Sequence, residues 1–301
     1  MCGIIGLHLR NPDLQPRLGE LLSAMLEAMT SRGPDSAGLA VYSGGESAGD
    51  GGQWRYSLRS DAGTDWDLLA KDIATATGGE VTARPLTSGA ALLLSTADEH
   101  AVLPALGRVA PRISVVGHGR AITVVKEVGA PADICAAYGI GQWSGYQGVG
   151  HTRMATESAV TTAHSHPFAP AADLALVHNG SFSNYSMVRR KLAKQGVLFD
   201  TDNDSEVAAR LVALRMAAGD DLEEALRHVL KEMDGFFTLL VTTANQFAVV
   251  RDSFACKPAV IAQTADYVAM ASEYQALAGL PGIADADVFE PMPEEIYTWT
   301  R

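Results

Sequence analysis

Residue 2 is a cysteine, and its place gives it two functional groups where other cysteines have one. Once Met1 is removed, a thiol and a free α-amine belong to the same residue. An α-amine titrates near pH ~7.7–8.0 and a thiol near ~8.5, so a neutral amine can take the thiol proton at physiological pH. Cys2 would then be nucleophile and base together, the N-terminal version of the usual nucleophile–base pair. A small second residue suits removal of Met1. Taken alone, Cys2-Gly3-Ile4-Ile5-Gly6 is equally the start of an ordinary edge strand, because motifs this short match by accident.

Other residues along the chain carry chemistry that would complete such a site. Arg32 and Asp35 stand in a stretch dense in turn-formers, residues 31–38, where they either brace a site through a charge-assisted hydrogen bond or cap a turn. Arg153 ends an apolar run, and a buried arginine is costly unless paired. It is either half of a structural salt bridge or a fork that grips a carboxylate in bidentate fashion. Asn179-Gly180 closes another apolar run. The dipeptide usually marks a hairpin, but a glycine N–H and an Asn amide that converge would form an oxyanion hole. Asp204 lies in an acidic stretch that suits a helix start, and one such acid can take a substrate ammonium instead.

Some candidates carry less. His164 and His166 lie on a loop ending in Pro167 without carboxylates or thiolates beside them, which favours hydrogen bonding over metal binding. His100 and His118 are lone histidines, expected to be structural or exposed. Cys256 has nothing nearby to activate it and is expected to be a core thiol.

The elements that must position these residues follow from periodicity. Ile4 and Ile5 between glycines predict a short buried strand, and Leu18, Leu21, Leu22, Met25, Leu26 and Met29 recur at helical spacing in a helix expected over 14–29, with Pro16 near its start. Strands are expected over residues 39–42, 54–58, 91–95, 113–116, 122–125 and 148–153, and again over 174–181. Helices are expected over 66–76, 99–109, 132–138, 185–195 with Asn184 as cap, 207–218 and 222–233. A β meander over 236–242, 247–251, 260–263 and 267–271 precedes a tail that returns through 288–289 and 296–299. Residues 44–146 show no catalytic constellation and read as an insertion, an α/β subdomain facing a partner.

The chain has 301 residues, 47% hydrophobic and 19% charged, enough for a sizeable core. Its net charge of −12 argues against nucleic acid or an anionic membrane surface as partner. Three distant cysteines, Cys2, Cys135 and Cys256, form neither a disulfide framework nor a zinc spacing and suit a reducing, cytoplasmic compartment. No signal peptide and no membrane-spanning run are expected, and no metal site.

Read in order, Cys2-Gly3-Ile4-Ile5-Gly6, residues 32–38, Gly150-His151-Thr152-Arg153, His178-Asn179-Gly180 and Asp204-Ser205-Glu206 resemble the class II glutamine amidotransferases. Arg251-Asp252, Lys257-Pro258 and Ala271-Ser272-Glu273 look like that family's later signatures. The resemblance covers about residues 1–43 and 147–275. It implies an α+β fold, the four-layer αββα sandwich of the N-terminal-nucleophile hydrolases. It implies Cys2, Asn179 and Gly180 as catalytic residues, and Arg153, Thr156, His178 and Asp204 as glutamine-binding ones. Arg32 and Asp35 would be structural supports. Met154, where many members have Trp, and Glu157, where some have His, depart from the pattern and bear on pocket shape. The stand-alone form with a long insertion most resembles GlxB-type amidotransferases, similar to the amidotransferase domain of glutamate synthase. N-methylglutamate synthase, whose activity is a methylamine–glutamate N-methyltransferase, has this organisation. The resemblance implies glutamate-synthase-like flavoprotein partners carrying FMN and an iron–sulfur cluster, with no cofactor in this chain. A catalytically silent assembly or glutamate-binding subunit is the alternative.

Overall fold

The computed structural model describes residues 2–44, 52–60, 63–154 and 160–301. Along the chain the elements run β1 (Gly3–Leu9), α1 (Leu18–Ala28), β2 (Ser36–Tyr42), β3 (Trp54–Arg59), α2 (Trp66–Thr77), β4 (Val81–Thr87), β5 (Ala90–Ser95), α3 (Glu99–Val109), β6 (Ser114–Gly119), β7 (Ile122–Val128) and α4 (Pro131–Tyr138). There follow β8 (Gln147–Arg153), β9 (Ala175–Phe182), α5 (Tyr185–Ala193), α6 (Asp204–Ala217), α7 (Leu222–Glu232), β10 (Gly235–Thr242), β11 (Gln246–Arg251), β12 (Val260–Gln263), β13 (Tyr267–Ala271), β14 (Asp287–Phe289) and β15 (Ile296–Thr300).

Every position of β1 is buried, because the strand has a neighbour on each edge and a layer on each face. It lies inside a seven-stranded antiparallel sheet ordered β14-β12-β13-β1-β8-β2-β7. Side chains alternate faces along a strand, so the neighbours Ile4 and Ile5 enter different cores. Ile5 and Leu7 pack with Leu18, Leu22 and Leu26 of α1 on the outer face. Ile4 packs with Val177, Leu240 and Phe247 of a second sheet, ordered β15-β11-β10-β9. That second sheet turns Leu176, Phe182 and Leu239 to α5, α6 and α7. The layers are helix, sheet, sheet, helix: a four-layer αββα sandwich, as expected. Gly6 shows how tightly the sheets meet, because a Cβ there would collide with Leu240 and with the Phe247 ring at 2.8 Å.

A third antiparallel sheet, β4-β5-β3-β6, packs Tyr56, Leu58 and Leu93 against α2 and α3 as a small two-layer unit. Its strands end at Gly119, and β7, still within the expected 44–146 span, pairs with β2 at the edge of the seven-stranded sheet.

Several boundaries differ from the periodicity reading for local reasons. Residues 12–17 form a 3-10 turn, so α1 begins only at Leu18. β2 starts at Ser36, three residues before its apolar run, because Ser36 pairs with Arg153. β4 was not expected: its sequence is polar, contains Pro85 and lies at a sheet edge, where a missing N–H is tolerated. Asn184 makes no side-chain cap. Its amide instead donates to the Glu232 carbonyl at 2.9 Å and accepts from the Asp234 N–H, tying α5 to the end of α7.

Candidate active site

The pairing of Gly3 with Thr152 continues outward to set Cys2 beside Arg153, which in turn pairs with Ser36. By alternation Cys2 shares the inner face with Ile4, and Arg153 shares it with Val149, toward the second sheet. On β9 the same rule turns Asn179 inward with Val177. One hydrogen bond spans the gap between the sheets here: His151 Nε2 donates to the His178 carbonyl at 2.9 Å. The end of β8 that holds Arg153 is thereby fixed to the end of β9 that holds Asn179.

Cys2 is held from behind. Arg32 Nε donates to the Cys2 carbonyl at 3.0 Å, and its guanidinium also pairs with Glu273. Next door, Ile4 N donates to Ser272 Oγ at 2.9 Å, and Ser272 N donates to the Ile4 carbonyl at 2.9 Å. Asp35 N donates to the Arg153 carbonyl at 3.1 Å, so the 32–35 turn touches both residue 2 and residue 153. Ser272 and Glu273 were expected only as part of a later signature of the resemblance, with no role at the site; the polar pair directly after the apolar end of β13 makes both contacts.

Asn179-Gly180 does not make a hairpin turn. β9 runs on to Phe182, with Gly180 at φ 152°, a conformation that suits glycine, and a Cβ there would overlap the Phe236 carbonyl. Asn179 is 3% exposed, yet its amide Nδ2 has no hydrogen-bond partner among the described residues. A buried donor left unpaired costs about 1–3 kcal/mol, and such groups are rare. Pre-aimed donors of this kind are what a developing oxyanion requires.

Asp204 is the first residue of α6, whose cap is Asn203, accepting from Ser205 N at 2.8 Å. The Asp204 carboxylate accepts from Phe182 N at 2.9 Å and from Ser205 Oγ at 3.2 Å. Since that hydroxyl proton goes to Asp204, His178 Nδ1 donates to Ser205 Oγ at 2.7 Å and its Nε2 is the bare nitrogen. Burial lowers the His178 pKa, against the opposing pull of Asp204. His178 faces the helical layer, on the opposite side of β9 from Asn179, and stacks on Phe182. In that place it supports Asp204 through Ser205.

Thr156 and Glu157 lie outside the described residues. Met154 is 37% exposed at the end of β8.

A histidine cluster that sequence reasoning did not join stands behind these residues. His151 and His166 stack with centroids 4.0 Å apart, both buried, and neither His166 ring nitrogen has a partner among the described residues. Burial pushes His151 down to about 3 and His166 well below the ordinary histidine range. Both are neutral at physiological pH. His164 does hydrogen-bond, to Thr161 at 2.7 Å and to Asp202 at 2.6 Å, whereas His166 makes none. Among the described residues no group of three His, Cys, Asp or Glu side chains is placed to hold a metal ion.

Cys256 corrects its expectation. It is exposed, on the loop after β11, because Asp252 turns that loop outward by accepting from the Phe254 and Ala255 N–H groups. Cys135 is the buried thiol.

Residues 151–279 match a family described as glutamine amidotransferase domain. The glutamine amidotransferase-like protein GlxB of Rhizobium meliloti is 45% identical over 299 residues, covering 99% of this chain and 98% of that protein. A putative glutamine amidotransferase of Methanothermobacter thermautotrophicus is 30% identical over 315 residues, covering 99% of each. Among solved structures, the glutamine phosphoribosylpyrophosphate amidotransferase from B. subtilis complexed with ADP and GMP superposes with a TM-score of 0.62 at 18% identity. That match covers 99% of this chain and 47% of the other, so this chain spans about half the length of that protein. At this identity the likeness establishes the fold.

Proposed function

The chain belongs to the class II glutamine amidotransferase family, and from that premise we propose that it hydrolyses the side-chain amide of glutamine through a Cys2 thioester. The Cys2 thiol attacks the amide carbon as its proton passes to the α-amine of Cys2. The oxyanion is received by Asn179 Nδ2 and the Gly180 N–H. The intermediate collapses as the amine returns its proton to the leaving nitrogen, and ammonia departs. Water then attacks the thioester and glutamate leaves. Arg153 takes the α-carboxylate and Asp204 the α-ammonium, with Thr156 a further contact and His178 behind Asp204. Arg32, paired with Glu273, holds the Cys2 backbone so that thiol and amine keep their aim, and Asp35 supports the same turn.

The observation that carries this reading is the unpaired, buried amide of Asn179. It lies on a strand end tied through His151 to the strand end beside Cys2. The ammonia is used by a glutamate-synthase-like flavoprotein in the cytoplasm, for glutamate or N-methylglutamate synthesis, and the small sheet faces that partner. FMN and an iron–sulfur cluster reside in the partner subunits. This chain supports no cluster, since its three cysteines are scattered.

Cys2→Ala is expected to abolish glutamine hydrolysis with the fold intact by circular dichroism. Retained hydrolysis at the wild-type rate overturns the nucleophile. The chain should then be assayed alone and with its co-encoded partners. A fully active isolated chain that binds no partner removes the complex, and a wild-type complex without glutaminase activity identifies a silent subunit.

A further inference from the structure

Between the small third sheet and the sandwich lies a cavity of about 840 Å³, within the usual range of ligand pockets. None of Cys2, Arg153, Asn179 or Asp204 lines it. Leu106, Ile113 and Val115 form one wall, and Phe168 and Lys126 stand on the core side.

Among the described residues the charges lining this cavity form ion pairs, with one exception. Arg59 pairs with Glu127 at 2.8 Å, and Arg210 pairs with Asp200 at 2.6 Å and with Glu206 at 3.1 Å. Glu206 is further satisfied by the Asp200 N–H and by both donors of Thr201. Lys126 is the exception. It is 7% exposed, and Nζ donates only to two backbone carbonyls, Ser165 at 2.9 Å and Ala163 at 3.3 Å. It lies 4.9 Å over the Phe168 ring. Among the described residues no carboxylate stands within ion-pair distance of it. An ammonium has three donors, so among the described residues one N–H lacks an oxygen partner, and Glu206 and Asp200 act on its charge only from beyond ion-pair distance. Desolvation lowers this amine to about 8, which still leaves it charged at neutral pH.

We propose that this cavity is a second binding site, for a small carboxylic acid with an apolar body. The carboxylate takes the remaining N–H of Lys126, and the apolar body lies against Leu106, Ile113 and Val115. The site joins the small sheet to the core segment Asp200–Glu206, which contains Asn203, the cap of the Asp204 helix.

The test uses the full chain, with 8-anilinonaphthalene-1-sulfonate as fluorescent probe and octanoate as competitor. One saturable probe site is expected, displaced by octanoate and not by octan-1-ol at the same concentration. Lys126→Met should weaken octanoate about 10–100-fold, the value of a charge-assisted hydrogen bond, and Lys126→Arg should largely restore it. The Met variant should fold, since an apolar isostere removes a desolvated charge. Should it fail to fold, Leu106→Trp, which fills the cavity, is expected to abolish octanoate displacement with an unchanged circular dichroism spectrum. The proposal is overturned by absence of a saturable site, by equal displacement with octan-1-ol, or by wild-type octanoate affinity in Lys126→Met or Leu106→Trp.

Discussion

Asn179→Ala separates catalysis from stability, because the group it removes does nothing for the resting fold. Nδ2 is buried and has no partner, so its deletion breaks no hydrogen bond of that donor. It relieves a desolvation cost of about 1–3 kcal/mol, which offsets a packing loss of comparable size for a truncated buried side chain. The melting temperature should therefore stay within about 4 °C of wild type. In the proposed transition state the same amide would meet a charge. Removal of one oxyanion donor costs about 2.7–4 kcal/mol, or roughly 10²–10³ in kcat. The substrate carbonyl is neutral before attack, so KM should change little and the loss should appear in kcat. Steady-state release of glutamate and ammonia from glutamine, with a thermal melt on the same preparation, provides both readouts. A kcat within threefold of wild type refutes the oxyanion assignment. A stability loss that accounts for the lost activity refutes it equally, by making Asn179 a structural residue.

Two further outcomes test the surrounding geometry. Arg153→Ala should weaken glutamine by about 2–5 kcal/mol, as the loss of a desolvated charge partner, which raises KM by roughly 30-fold or more; an unchanged KM places the pocket elsewhere. His151 binds its proton near 3 when folded, against 6.5 for an ordinary histidine. Between those values the unfolded chain takes a proton that the folded one refuses, so stability falls as pH drops through that window. The contribution is at most about 4–5 kcal/mol. His151→Gln keeps a donor for the His178 carbonyl and has nothing to titrate, so its denaturation midpoint should fall less steeply from pH 6.5 to 4. Parallel curves for the two proteins would show that His151 is not the titrating group.

Single elements were legible in the sequence where burial is one-sided or complete, as in Ile4-Ile5, the leucines of α1 and the apolar meander, whereas their stacking in four layers was implied by the family resemblance and not by period. β4 was hidden because an edge strand has little to bury, and its Pro85 reads as a strand breaker. The start of α6 was placed three residues late, since Asp204 and Glu206 look like solvent-facing acids. In the fold one carboxylate holds Phe182 N and the other the 200–201 backbone. The candidate site was legible as residue types: Cys2, Arg153, Asn179 and Asp204 stand out by chemistry. Arg32 and Asp35 were expected as supports, but the partner that anchors Arg32 was not. Glu273 is 241 residues from Arg32, and no local pattern predicts that pairing. The opposite facings of His178 and Asn179 became readable only once β9 was known to run through Asn-Gly without turning.

The position of β1 between β8 and β13 also sets a timetable. Gly3 waits for Thr152, and Ile5 waits for Ala271. At a synthesis rate of about 5–20 residues per second, the first partner is made roughly 7–30 s after β1, and the second roughly 13–53 s after it. For that interval the run Gly-Ile-Ile-Gly-Leu-His-Leu has neither edge covered, and it carries the β-rich, uncharged character that seeds intermolecular pairing. Ribosome-bound chains halted before residue 147 should therefore be the aggregation-prone ones, and slowed translation of the second half should lower soluble yield more than slowed translation of the first. The strand that follows Cys2 is made early and seated late.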